Sequence, residues 1–166
     1  MTLAIVALGS NLGDSAKVIR AAMTRLQAIS DQPVLISSLW QTTPVDCPPG
    51  SPDFLNAVVG LVPRTNETPE SLLEKLRVLE QKFGRQPKKI HNEPRPLDLD
   101  LIAFGNLIRN APRLILPHPR AHLRRFVLQP LSEITPALIL PGQTKTVSQL
   151  LAELPGMNLV ERRNQP

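Results

Sequence analysis

The sequence predicts an α+β fold, a ferredoxin-like βαββαβ sandwich in which helices cover one face of an antiparallel sheet and a C-terminal extension follows. Two observations predict it. Four apolar stretches alternate with two helical patterns in the order β-α-β-β-α-β, and 166 residues with 42% hydrophobic content suffice for one core. No internal repeat or linker divides the chain. Residues 1–166 are therefore predicted to form a single domain.

The first half of the chain alternates strands and helices. Leu3 to Leu8 is an apolar strand that ends at a turn-rich stretch, Gly9 to Asp14. Ser15 is predicted to cap a helix to about Ile29, with apolar residues at helical spacing. The second and third strands are predicted at Val34 to Thr42 and Phe54 to Val62, on either side of a proline-rich loop.

The second half begins with a clear helix start, Thr68-Pro69-Glu70, where threonine is the cap and proline the first helical residue. The leucines that follow form one apolar arc, and Gly84 ends the helix. Leu97 to Phe104 is the fourth strand, and Gly105-Asn106 after it is typical of a hairpin. The C-terminal third is predicted to be irregular, apart from a short amphipathic helix at Val147 to Leu154.

Composition narrows the possible partners. Lysine and arginine exceed aspartate and glutamate by 19 − 14 = 5, which suits an anionic ligand. Aromatic residues are only 3%, with no tyrosine, and this argues against a base-stacking nucleic-acid surface. A single cysteine, Cys47, excludes an internal disulfide, and no apolar run approaches the length of a membrane span. We expect a cytoplasmic protein that binds neither nucleic acid nor membrane.

The sharpest local feature is Asp98-Leu99-Asp100. Side chains alternate along a strand, so the two carboxylates point to one face, about 6.5–7 Å apart. Ile102 and Phe104 are expected to follow on the same face. Paired carboxylates repel unless a cation lies between them, and hard oxygen ligands suit a magnesium ion shared with phosphates. A solvated strand end is the alternative.

Two basic segments flank this strand. The segment before it is either a solvated loop or a cationic flap suited to phosphoryl transfer, and it contains Arg85, Lys88, Lys89, His91 and Arg95. After it, His118 lies between two prolines and is interpreted as a fixed hydrogen-bond donor to phosphate, with Arg124 as a bidentate phosphate ligand. A zinc site at His118 and His122 is a weak alternative, because no cysteine is nearby.

Glu80 falls inside the apolar arc of its helix. A carboxylate at such a position should be paired or line a pocket, unless it reaches into water from the helix edge.

These residues, in this order, resemble the 6-hydroxymethyl-7,8-dihydropterin pyrophosphokinases of folate biosynthesis, over nearly the whole chain. The similarity is carried by several blocks along the sequence: Ala7-Leu8-Gly9-Ser10-Asn11-Leu12-Gly13, Thr42-Thr43-Pro44, Asp53-Phe54-Leu55-Asn56-Ala57, Glu80 with Gly84-Arg85, Pro94-Arg95-Pro96-Leu97-Asp98-Leu99-Asp100, Leu116-Pro117-His118-Pro119-Arg120 and Arg124-Arg125-Phe126-Val127-Leu128-Gln129-Pro130-Leu131.

The resemblance implies transfer of diphosphate from ATP to the hydroxymethyl group of the pterin, with release of AMP. Separately, we expect the protein to be a monomer. The resemblance also implies two Mg²⁺ ions held by Asp98 and Asp100, with ATP as the co-substrate. Arg85 and Arg95 would be catalytic flap arginines. The remaining site residues divide into an ATP set, Glu80, Leu101, Arg113, His118 and Arg124, and a pterin set, Thr42, Thr43, Val45, Phe54, Asn56 and Phe126.

Some positions depart from the usual family pattern, namely Arg77, Pro87, Asn92, Glu93 and Pro119, and they bear on loop closure and ATP affinity. Three rival functions remain. A non-catalytic nucleotide or nucleic-acid binding module would have no use for paired aspartates. A metal-dependent phosphohydrolase would not explain Asn56 and the two phenylalanines. A related enzyme that acts on another pterin alcohol is the third.

Overall fold

The computed structural model describes residues 2–42, 48–84 and 96–155, and the backbone of 160–163. The elements follow the chain as β1 (Ala4–Ser10), α1 (Ser15–Ala28), β2 (Leu35–Ile36), β3 (Leu39–Thr42), β4 (Phe54–Leu61), α2 (Pro69–Lys82), β5 (Asp98–Phe104), β6 (Arg109–Ala111), β7 (Leu114–Leu116), a 3₁₀ turn (Ala121–Leu123), α3 (Arg125–Ile134), α4 (Val147–Glu153) and β8 (Val160–Arg163).

The main sheet has the strand order β5-β1-β4-β3-β8, with β2 also paired to β4, and every pairing in it is antiparallel. This confirms the predicted α+β fold with an antiparallel sheet. Strands β6 and β7 form a separate two-stranded hairpin. Within the described residues, no helix is both long and apolar enough to cross a membrane.

Helices α1 and α2 cover one face of the sheet. They bury their apolar stripes against the even-numbered residues of β1, and the largest core cluster lies between them and the sheet. The cap of α2 is the predicted Thr68, whose hydroxyl accepts a hydrogen bond from Ser71 N at 3.0 Å. The cap of α1 is Asp14, one residue before the predicted Ser15, because the Asp14 carboxylate accepts from Lys17 N.

The opposite face carries a second core, which the C-terminal extension covers. Ile5, Val58 and Ile102 of the sheet pack there against Val127 and Leu128 of α3. The prediction of an irregular chain at α3 was wrong: a ten-residue helix forms despite an internal proline, Pro130. Val127, Leu128 and Leu131 of this helix are buried, so tertiary packing outweighs the hydrogen bond that proline removes.

A bulge in β5 changes the facing of its last residues. Ile5 pairs with Ala103 and Val6 with Leu101, so Ile102 is the extra residue. Leu99 and Leu101 therefore face the α1–α2 core and Ile102 the second core. Phe104 returns to the α1–α2 core, which corrects the expectation that it lies on the aspartate side.

Two other boundaries differ from the predictions. The second predicted strand is split into β2 and β3, because the Ser37 hydroxyl accepts a hydrogen bond from Val58 N at 2.9 Å and interrupts the ladder. The turn at Gly105 does not lead back along β5, since the outer edge of that strand is already occupied by the Glu80 carboxylate at Leu99 N and by His118 N at Ile102 O. The chain pairs β6 with β7 instead.

Candidate functional site

One row of residues crosses the second face of the sheet near its end. Asp98 of β5 pairs with Gly9 of β1, Gly9 pairs with Asn56 of β4, and Asn56 pairs with Trp40 of β3. Directly paired residues point to the same face, so these four positions face the C-terminal extension. At a strand spacing of roughly 4.8 Å, Asp98 and Asn56 lie roughly 10 Å apart.

Asp98 and Asp100 lie on this face, both partly exposed, with the buried Leu99 between them facing the other core. Burial, followed by the negative charge of Asp98, raises the pKa of Asp100 from 3.8 to about 6, against the opposing effect of Arg124. The predicted common orientation of the two acids is therefore consistent with the structure. Like charges held this close are stabilised by a bound cation.

Glu80 anchors the strand that carries these acids. It is 2% exposed, its Oε2 accepts from Leu99 N at 2.8 Å, and its Oε1 accepts from Arg77 Nη1 at 2.9 Å. The prediction that this carboxylate would be paired is confirmed. Its hydrogen bond satisfies an outward-pointing N–H of an edge strand, midway between Asp98 and Asp100, and so fixes that segment.

His118 is held as a neutral hydrogen-bond donor. Its Nδ1 accepts from Arg120 N at 3.2 Å, which leaves the proton on Nε2. Burial, then the charges of Arg124 and Arg120, lower the pKa of His118, so the ring is uncharged near neutral pH. Its own backbone N–H donates to Ile102 O at 2.8 Å, which ties the histidine to the aspartate strand.

Arg124 supplies the positive charge of the site. It is the N-cap residue of α3, and its guanidinium lies 5.4 Å from the centroid of the Phe126 ring. Burial lowers the pKa of Arg124, while Asp100 raises it. Arg124, His118 and the two aspartates thus lie within electrostatic reach of one another, a cationic side facing an anionic side.

The other end of the row is polar and flat. Asn56 is buried, and its Nδ2 donates to Thr42 Oγ1 at 2.9 Å. Gly9 forms the floor: a Cβ at that position would meet Asn56 Oδ1 at 3.5 Å and Phe54 Cδ1 at 3.8 Å. Phe126, on α3, packs against the second core above this face. An amide and two rings around a bare backbone suit a planar heterocycle with hydrogen-bonding edges.

The structure does not place the remaining predicted site residues with their side chains in this row. The Leu101 side chain is buried in the α1–α2 core, so a ligand could contact that residue through its backbone alone. Arg113 is 83% exposed on the side chain and pairs with Glu74 of α2 at 2.6 Å. Thr43, Val45, Arg85 and Arg95 lie outside the described residues.

Sequence reasoning missed two residues of this surface. Trp40 was not assigned a role, although it pairs with Asn56 and carries the chain's single indole. Glu133 was overlooked because the helix around it was not predicted. Its carboxylate accepts from Trp40 Nε1 at 2.6 Å. Alternation along the second strand could have placed Trp40 on the face of Thr42, whereas no sequence pattern indicates Glu133.

The donor set fits a divalent cation that is only partly held by protein. Among the described residues, no three or more His, Cys, Asp or Glu side chains form a metal-binding group. Two carboxylates on one strand face are nevertheless what Mg²⁺ uses when it takes its remaining ligands from water and substrate phosphates. The raised pKa of Asp100 agrees, since burial and then the charge of Asp98 make its ionised carboxylate unfavourable without a counter-ion.

Comparison with known families gives one match that covers most of the chain. Residues 5–136 match the model of the 7,8-dihydro-6-hydroxymethylpterin-pyrophosphokinase family. Among curated proteins, the 2-amino-4-hydroxy-6-hydroxymethyldihydropteridine pyrophosphokinase of Haemophilus influenzae is 37% identical over 155 residues, covering 93% of this chain and 91% of its own. The protein of the same name from Synechocystis is 38% identical over 151 residues, covering 91% and 75%.

Solved structures agree at the level of the fold. The crystal structure of an HPPK-DHPS in complex with substrates superimposes with a TM-score of 0.69 at 13% identity, over 91% of this chain and 43% of that one. Wild-type Plasmodium falciparum HPPK-DHPS with pteroate gives 0.71 at 14%, over 92% and 42%. From the family match and the identity to the curated relatives, this chain belongs to the 7,8-dihydro-6-hydroxymethylpterin-pyrophosphokinase family.

Proposed function

We propose that this chain transfers the diphosphate of ATP to the hydroxymethyl group of 6-hydroxymethyl-7,8-dihydropterin, giving the pterin diphosphate and AMP, a step of folate biosynthesis. The observation that carries the proposal is the row from Asp98 through Gly9 to Asn56, which sets an anionic pair beside a flat, amide-lined floor. Family membership supports the same reaction.

Asp98 and Asp100 are proposed to hold two Mg²⁺ ions. Bound magnesium would neutralise the ATP phosphates and align them for in-line displacement. The protein's own part is to keep both carboxylates on one face, which the hydrogen bond from Leu99 N to Glu80 supports by fixing the strand. Alignment and charge neutralisation suffice for this chemistry, without a covalent nucleophile.

On the opposite side, His118 and Arg124 are proposed to hold the phosphates of ATP. The Nε2–H of a neutral His118 donates one hydrogen bond without adding charge, and Arg124 offers a bidentate fork. Arg124 is also attracted to Asp100, so the two residues bracket the position where phosphate and metal would meet.

The pterin is proposed to lie over Gly9, between Phe54 and Phe126, with its polar edge on Asn56 and Thr42. The Asn56 amide is pre-oriented by Thr42 Oγ1, which reduces the entropy lost on binding. In this pose the hydroxymethyl oxygen points along the row toward the aspartates. It would attack the β-phosphorus of ATP, the bond to the α-phosphate oxygen would break, and AMP would leave.

The proposal also includes the remaining predicted site residues. Arg85 and Arg95 would close over the reactants as flap arginines, and Thr43 and Val45 would contact the pterin through their backbone. Leu101 and Arg113 would contact ATP, and Arg113 would first leave Glu74. We further propose one domain over residues 1–166 that acts as a monomer in the cytoplasm.

The test is to incubate the protein with ATP, Mg²⁺ and 6-hydroxymethyl-7,8-dihydropterin and to measure AMP and the pterin diphosphate by chromatography. Equimolar AMP and pterin diphosphate, dependent on both substrates, is expected. Asp31→Asn, at an exposed position in the turn after α1, is the matched control for Asp100→Asn. The control should keep wild-type turnover, and the Asp100 variant should lose it.

Each alternative gives a different result. ADP in place of AMP would indicate an ordinary kinase. AMP released without the pterin would indicate a phosphohydrolase. A higher kcat/KM with another pterin alcohol would reassign the substrate.

A further inference from the structure

We infer that Glu133 is a positioning residue for the pterin end of the site, an inference that rests on the proposed function. Glu133 lies on α3, close to the end of that helix, and at the protein surface. Its carboxylate accepts hydrogen bonds from Trp40 Nε1 at 2.6 Å, from Ser38 Oγ at 2.8 Å and from Ser38 N at 3.2 Å.

These three bonds join the two elements that form the walls of the proposed pterin pocket. α3 carries Phe126, and β3 carries Thr42, whose hydroxyl orients Asn56. Bonds to an ionised carboxylate are shorter and stronger than neutral ones. Glu133 thereby adds a polar link between the element that carries one ring of the pocket and the element that carries its hydrogen-bonding edge.

The local structure explains why such a tie is needed. The hydrogen-bond ladder to β4 is interrupted between β2 and β3, where Val58 N donates to the Ser37 hydroxyl. At that break, Ser38 N–H donates to the Glu133 carboxylate. On the other side, α3 contains Pro130, which cannot donate a helical hydrogen bond to the carbonyl of Phe126 one turn earlier. The Glu133 carboxylate therefore joins the break in the ladder before β3 to α3.

The effect should be confined to one substrate. In the strand order β5-β1-β4-β3, the Asp98–Asp100 strand is three spacings, roughly 14 Å, from β3. Because Val127 and Leu128 hold α3 on the second core, loosening β3 against α3 changes the position of Thr42 before it reaches Arg124 or the aspartates. A loss at Glu133 should therefore raise the KM for the pterin while the KM for ATP stays near its wild-type value.

The test compares Glu133→Ala, Glu133→Gln and a control, Glu153→Ala, which removes another surface carboxylate, one paired with Lys145. Loss of charge-assisted bonds predicts that Glu133→Ala raises the pterin KM about tenfold, with the ATP KM within about twofold. Glu133→Gln keeps an acceptor oxygen and should fall between Glu133→Ala and wild type. Glu153→Ala should match the wild type.

Trp40 provides a second readout, because it is the only tryptophan in the chain. Pterins absorb where tryptophan emits, so pterin binding should quench Trp40 emission in the presence of Mg²⁺ and a non-hydrolysable ATP analogue. In Glu133→Ala the quenching midpoint should move to higher pterin concentration in parallel with KM. Trp40→Phe combined with Glu133→Ala should add little to the KM of Glu133→Ala alone, since both remove the same bond.

The outcomes separate this inference from the proposed function. A wild-type protein that makes no pterin diphosphate overturns the function itself. An active wild type whose Glu133→Ala variant keeps the wild-type pterin KM, or loses ATP and pterin affinity equally, overturns the positioning role. If Glu133→Ala does not melt cooperatively, Glu133→Gln and Trp40→Phe test the positioning role instead. The quantity compared is again the rise in the pterin KM relative to the rise in the ATP KM.

Discussion

Asp100→Asn should make the ligand-free protein more stable while it abolishes turnover. Burial, and secondly the charge of Asp98, raise the pKa of Asp100 from 3.8 to about 6. The unfolded chain therefore releases this proton at lower pH than the folded protein does. The protonated Asp100 carboxyl therefore contributes favourably to the free energy of unfolding. That contribution is complete below pH 3.8 and is lost as the pH rises through about 6.

The magnitude follows from that shift. About two pKa units at about 1.4 kcal/mol each give at most about 3 kcal/mol of destabilisation by the ionised carboxylate above pH 6. An isosteric amide does not ionise, so Asp100→Asn should gain up to about 3 kcal/mol near pH 8, which corresponds to about 6–12 °C in Tm for a chain of this size. The gain should shrink toward zero near pH 4.

Urea unfolding of the ligand-free protein at several pH values, followed by circular dichroism, measures the difference. Asp31→Asn makes the same chemical change at an exposed position and should stay within about 0.5 kcal/mol of the wild type. Mg²⁺ with a non-hydrolysable ATP analogue should then raise the Tm of the wild type much more than that of Asp100→Asn. An Asp100→Asn protein less stable than the wild type near pH 8 would refute the reasoning, because Asp100 would then be held ionised by Arg124.

Three further predictions test the supports of the site. Glu80→Ala leaves Leu99 N–H without its acceptor and should cost about 1–3 kcal/mol in urea unfolding; Glu80→Gln should recover part of that cost, and equal stability of the two would argue against the anchoring role. The pKa of His118 is lowered, so as the pH falls through about 6.5 the unfolded state takes up a proton at this residue before the folded state does. The wild type should therefore lose stability relative to His118→Gln near that pH, but not near pH 8. NMR titration of the ring should give a pKa below 6.5. Gly9→Ala places a methyl group 3.5 Å from Asn56 Oδ1, an ordinary contact that leaves the fold intact, yet it should raise the pterin KM about tenfold by filling the floor; an unchanged KM would move the pterin elsewhere.

The sequence alone determined the elements whose signals are local. Thr68 and Pro69 began α2 where expected, because caps and first-turn prolines act within one helical turn. The alternation around Leu99 correctly set the two aspartates on one face, since side-chain direction in a strand follows from the backbone. The position of Glu80 in an apolar arc correctly indicated a paired carboxylate.

Tertiary structure decided what depends on distant partners. The helix around Pro130 forms because its apolar residues find a second core on the sheet, and no local propensity for helix encodes that surface. Phe104 changes face because a bulge at Ile102 shifts the register, an event that the period of two cannot reveal. Glu133 meets Trp40 across 93 residues of chain, so the contact exists only once α3 and β3 pack together. Short-range periodicity therefore placed the candidate metal ligands, whereas long-range packing placed the residues that hold the pocket around them.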